Sequence, residues 1–196
     1  FPAQGWVVDG HFSSFPGVPV GAGGFHLADA IPGWSGNTSG GTFNPPAALF
    51  PTGAAEGQNT AWINVSGQIS QVLGTSFQAE RRYRLSADVG AASGVAFPGY
   101  VVGLYANGQV VAEDRNTLAI PAGEFRRVSV EAVVPLQSAW VGAPIEVRLG
   151  IPGSQAEQVN FDNVRLTIES PEPPADCVTP SAALAAWYRG EGTAED

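Results

Sequence analysis

Short runs of β-branched and aromatic residues, separated by glycine, proline, asparagine and serine, fill the chain from Trp6 to about Ile168. No helical apolar period is sustained between them, so each run can bury only a strip of backbone and must pair edge to edge with others. In Tyr83-Arg84-Leu85-Ser86-Ala87-Asp88-Val89 the apolar residues take alternate positions. Val128, Val130, Ala132 and Val134 alternate in the same way with Arg127, Ser129 and Glu131, and Ile145, Val147 and Leu149 alternate with Glu146 and Arg148. A strand with that period shows one face to a core and the other to water. The reading predicts strands over 61–65, 69–73, 83–89, 100–106, 109–113, 125–134, 145–151 and 159–168, and from them an all-β, two-sheet antiparallel β-sandwich. Asn107-Gly108 predicts a tight hairpin, because a type I′ turn needs positive φ at both central residues.

Composition narrows the function classes. The 18 acidic residues against nine basic ones give a net charge of −9, which repels a phosphate backbone, and no nucleic-acid partner is expected. No apolar run approaches the roughly 20 residues that span a bilayer, and no membrane insertion is expected. The single cysteine, Cys177, makes neither an internal disulfide nor a zinc site. Residues 1–168 read as the sandwich, with a glycine- and proline-rich first third forming long loops at one rim. Residues 169–176 read as a proline-rich linker and 177–196 as the truncated start of a second domain.

The sequence holds no G-x-S-x-G, H-E-x-x-H, G-x-G-x-x-G or P-loop pattern, so a non-catalytic protein is expected. Strict alternation along Val159-Asn160-Phe161-Asp162-Asn163-Val164-Arg165-Leu166-Thr167-Ile168 puts Asp162 on the core side with Val164, Leu166 and Ile168, and turns Phe161 away. An inward carboxylate needs compensation, and calcium, which takes six to eight oxygen ligands, suits it; backbone amides are the alternative. In Ala61-Trp62-Ile63-Asn64-Val65, Trp62 and Asn64 share the face away from the core. A flat ring beside an amide is what sugar recognition uses. Tyr105 and Trp140 are further candidate ligand residues, whereas Trp34 is expected to pack inside. Arg81, Arg82, Arg84, Arg126 and Arg127 are expected on solvated strand faces.

The ordered words Val8-Asp9-Gly10-His11-Phe12, Ile31-Pro32-Gly33-Trp34, Gly67-Gln68-Ile69-Ser70-Gln71-Val72-Leu73, Tyr83-Arg84-Leu85-Ser86 and Phe161-Asp162-Asn163-Val164-Arg165-Leu166 resemble the galactose-binding-domain-like β-jelly-roll superfamily, closest to bacterial exported, DUF642-type domains. Leu184-Ala185-Ala186-Trp187-Tyr188-Arg189-Gly190-Glu191-Gly192 is similar to the opening strand of laminin-G or concanavalin-A-like domains. The resemblance implies a secreted or bacterial cell-surface module that binds a glycan or polysaccharide, with a structural calcium ion on Asp162 and Asp9. Ser13 stands where many relatives of that superfamily carry an acidic residue. A structural or adhesive domain contacting other surface-protein domains or a second copy is the competing expectation. An ancillary domain of a glycoside hydrolase or lyase is the third.

Overall fold

The computed structural model describes residues 4–7, 25–27, 33–36, 40–153 and 157–170, with side chains from residue 33 onward. Among the described residues twelve strands follow one another: β1 (Gln4–Val7), β2 (Phe25–Leu27), β3 (Ser35–Gly36), β4 (Gly40–Phe43), β5 (Thr60–Asn64), β6 (Gln68–Ser76), β7 (Arg81–Ala91), β8 (Val101–Ala106), β9 (Gln109–Arg115), β10 (Glu124–Val134), β11 (Pro144–Gly150) and β12 (Gln158–Glu169). The larger, seven-stranded sheet runs β10-β7-β12-β5-β4-β2, with β1 pairing the second half of β12, and the smaller runs β3-β6-β11-β8-β9. All strand pairings are antiparallel. The molecule is the all-β sandwich that the alternation predicts, of the jelly-roll type that the resemblance implies, and each of the eight predicted strands is present within a few residues of its expected ends. The linker at 171–176 and the segment 177–196 lie outside the described residues.

The period-2 faces meet as expected. Tyr83, Leu85, Ala87 and Val89 of β7, Val128 and Val130 of β10, and Val164 and Leu166 of β12 pack against Val102 and Leu104 of β8 and Ile145, Val147 and Leu149 of β11. Trp34 joins this core. Ala106 pairs with Gln109 across Asn107 (φ 49°) and Gly108 (φ 77°), the positive-φ pair that a two-residue I′ connection demands. The arginine run lies on solvated faces: Arg82 and Arg84 pair with Glu131, and Arg126 pairs with Glu124.

Two core tyrosines and one on an outer face answer the burial. The Tyr83 hydroxyl accepts from the Gln78 amide at 2.6 Å and the Tyr100 hydroxyl from the Leu118 amide at 3.0 Å. Burial raises the pKa of both phenols. Tyr105 is pushed up to about 12, first by burial and then by its hydrogen bond to Glu113 and the charge there. A phenol whose folded pKa lies above its unfolded value of about 10 adds stability below that value and loses it as pH climbs through the folded pKa. Absorbance titration is therefore expected to show Tyr83, Tyr100 and Tyr105 still protonated past pH ~10 and ionising only as the circular dichroism of the fold collapses. Full ionisation near that pH with the native spectrum retained refutes the assignment.

Candidate active site

The outer face of the larger sheet gathers two rows of side chains from strands remote in sequence. Register places Gly41, Trp62, Asn160, Gly90 and Phe125 opposite one another across β4, β5, β12, β7 and β10. Neighbouring strands lie about 5 Å apart, so the row sets two aromatic rings on either side of a central amide. Glycine at 90 makes room for one ring, since a Cβ there would lie 2.5 Å from Phe125. Trp62 donates its indole N–H to the Thr42 carbonyl at 3.3 Å. Asn160 is fully buried, accepting from Gln158 Nε2 at 3.2 Å.

The next row carries charge. Asp162 stands opposite Asp88, and Asp88 stands opposite Arg127. Facing carboxylates on one sheet repel, and their surroundings answer that. Arg127 binds Asp88 through Nε and, at 2.8 Å, Nη2, while Asn163 Nδ2 donates to the same carboxylate at 2.8 Å. Asp162 accepts main-chain N–H groups from Glu56 and Asn163, each at 2.8 Å. The segment between β4 and β5 closes over this face. Its Phe50 stacks on Phe125 at 4.6 Å, and its Glu56 pairs with Arg165.

Asp162 does not face the core, and the cause is local. The pairing of β12 with β7 slips between Asp162 and Arg165, and Asn163 takes φ 49°. This β-bulge inserts one residue and reverses the alternation. Phe161 and Val164 both point inward, fully buried, and Asp162 is carried to the outer face while remaining only 2 % exposed. The described donors are the amides that were the alternative compensation, and Asp9 lies outside the described residues. Among the described residues no cluster of three or more metal-ligating side chains forms. The alternation break was visible as apolar residues at 159 and 161, then 164, 166 and 168, around an Asn that tolerates left-handed backbone.

The other expected ligand residues do not make one surface. Trp62 and Asn64 share the outer face of β5, as alternation requires, with Trp62 half-buried against a small cluster of Phe43, Phe50 and Ala92. Tyr105 lies on the opposite side of the sandwich, on the outer face of the smaller sheet, its hydroxyl bonded to Glu113 and its ring under Arg148 at 4.1 Å. Trp140 sits in the turn before β11 and packs on the main core. An open groove of about 390 Å³ between β9 and β10 is lined by Glu113, Asp114 and Glu131 and carries no aromatic ring. Of the sites among the described residues, the face around Asn160 joins flat rings to buried carboxylates.

A family model described as HpiC1 cyclase matches residues 8–167, a span that contains both rows. The chain belongs to the HpiC1-like family. Solved structures of Fischerella proteins share its fold. A Stig cyclase, Fisc, from Fischerella sp. TAU, in complex with (3Z)-3-(1-methyl-2-pyrrolidinylidene)-3H-indole, is 24 % identical with a TM-score of 0.76, over 87 % of this chain and 100 % of that one. An apo cyclase from Fischerella sp. is 25 % identical with a TM-score of 0.76, over 87 % and 98 %. A cyclase from Fischerella sp. TAU in complex with 4-(1H-indol-3-yl)butan-2-one is 26 % identical with a TM-score of 0.68, over 76 % and 90 %. No curated protein matches the sequence significantly.

HpiC1-like membership overturns four expectations. The chain is not assigned to the galactose-binding-like, DUF642-type group that its motifs resemble. A cyclase family is an enzyme family, so the non-catalytic reading fails, and with it the carbohydrate-binding and adhesive functions. The expected glycan and surface-protein partners fall with that reading; two of the Fischerella cyclases were solved with indole compounds. The physical reason is that the quoted words over 67–73, 83–86 and 161–166 lie along strands of the sandwich, and architecture does not select a ligand.

Proposed function

We propose that this protein is a cyclase that closes a ring in a small aromatic nitrogen heterocycle, of the indole class held by its Fischerella relatives. The observation that supports this reading is the face around Asn160, where Trp62 and Phe125 flank a buried amide and Asp88 and Asp162 lie one row away. Ring closure on an electron-rich heterocycle builds positive charge and moves a proton. Carboxylates in a water-poor site stabilise the first and can carry the second, and flat rings hold the heterocycle against them.

The test is direct. The protein is titrated with 4-(1H-indol-3-yl)butan-2-one while tryptophan fluorescence is followed, and it is incubated with indole-bearing substrates capable of intramolecular closure, the products being resolved by chromatography and mass spectrometry. Saturable quenching and a ring-closed product of unchanged mass are expected. Absence of both binding at millimolar ligand and any ring-closed product overturns the reading.

The calcium ion expected at Asp162 and Asp9 is a separate proposal. Its support is a carboxylate buried to 2 % exposure, bonded to the main-chain N–H groups of Glu56 and Asn163. An ion bound only by the folded state raises stability by mass action. EGTA is expected to lower the melting temperature of the parent and to leave that of Asp162→Ala where it is. An unchanged parent sinks the proposal.

A further inference from the structure

We propose that a second site, on the face of the sandwich opposite the candidate active site, binds a phosphate-sized oxyanion. A cavity of about 100 Å³ opens on the outer face of the smaller sheet, lined by Gln68, Tyr105, Arg115, Arg148 and Gly150 among others. That is room for about three waters at ~30 Å³ each and well under the ~300 Å³ of small-molecule pockets, so it fits an ion and not a heterocycle.

Two guanidinium groups line it, and both are held in place. Glu146 takes Nε and Nη2 of Arg148, each at 2.8 Å. Glu113 takes Nε of Arg115 and, at 3.1 Å, its Nη2. Both carboxylates engage the Nε edge of their arginine, which leaves the Nη1 edge of each fork outside these pairs. Stacking of Arg148 on Tyr105 at 4.1 Å fixes it further, and Tyr105 lies flat because Gly103 beneath it has no Cβ, which would come within 2.8 Å of the ring. Forks locked before a ligand arrives lose little freedom on binding one, and guanidinium geometry matches paired oxyanion oxygens.

The cavity wall is built under strain. The turn between β5 and β6 puts Val65 at φ 48° and Ser66 at φ 52°. For a β-branched residue that conformation is an outlier, of a kind that persists where the surroundings impose it and that clusters at ligand sites. Gly67 closes the turn onto the Asn64 carbonyl at 3.1 Å, and Ile151 donates to the Gly67 carbonyl at 3.2 Å. The approach needs glycine at 150, where a Cβ would lie 3.2 Å from both Gln68 Cβ and the Gly67 oxygen. A chain of net charge −9 repels anions in general, so specific retention of one requires such a site.

Inorganic phosphate is added to the full chain at ionic strength matched with sodium chloride, acetate serving as the carboxylate arm, and melting temperature and calorimetric heat are read. Phosphate is expected to raise the melting temperature and give a saturable isotherm, with acetate weaker. Arg115→Gln and Gln68→Glu, both at exposed positions, are expected to weaken phosphate about ten-fold or more, as loss of a charged hydrogen bond or addition of a like charge does. Equal effects of phosphate and chloride overturn the site, as does a phosphate effect that survives both substitutions, which means general anion screening. Stronger binding of acetate than phosphate overturns the assignment of the ion. If Arg115→Gln does not fold, Gln68→Glu decides alone.

Discussion

Phe161→Ala is expected to cost about 3–5 kcal/mol of folding stability, the range for removing a fully buried aromatic ring. Phe161 is 0 % exposed and packs in the main core only because the bulge at Asn163 turns it inward. Unbroken alternation from Val164 puts the same ring in solvent, where its loss changes stability by about 0.5 kcal/mol or less. Urea denaturation of Phe161→Ala beside Thr167→Ala, on a half-buried position of the same strand, separates the two geometries. A cost below about 1 kcal/mol refutes the bulge and with it the outward placement of Asp162.

Asp88→Asn and Asp162→Asn carry the second large effect, on catalysis. If the carboxylates supply charge and proton transfer to ring closure, each substitution lowers the rate by roughly 10²–10⁴-fold, the contribution of a positioned acid or base. The neutral amide also places an N–H donor where Asp162 accepts from Glu56 and Asn163, and where Asp88 accepts from Arg127 and Asn163. Each clash of donors adds a stability cost of about 1–3 kcal/mol. Rates are therefore read at a temperature where circular dichroism shows both variants folded. Rates within a factor of about two of the parent remove these carboxylates from the reaction.

Alternation, glycine and proline punctuation and one Asn-Gly pair carry most of the architecture, because each acts within a few residues. Hydrophobic period decides which face of a strand seeks burial, and φ preference decides where it turns. Hence eight strands and the β8–β9 hairpin were legible. Trp62 and Asn64 were placed on the correct face for the same reason, whereas Tyr105 was grouped with them although it lies on the other sheet. Face within a strand is a local property, but which outer surface that face belongs to depends on sheet assignment.

Asp162 marks the boundary between the two kinds of information. Its burial followed from sequence, since it sits in an apolar strand, but its direction depended on one extra residue that the β12–β7 register absorbs as a bulge. The all-β class, the strands and the need to compensate a buried carboxylate follow from preferences that act between near neighbours in the chain. That Trp62, Asn160, Gly90 and Phe125 share one row, with Asp88 and Asp162 facing each other beside it, comes from the order in which the strands pair. Strand order brings residues nearly a hundred positions apart, such as Trp62 and Asn160, into register, and no period or turn preference within a strand encodes that order.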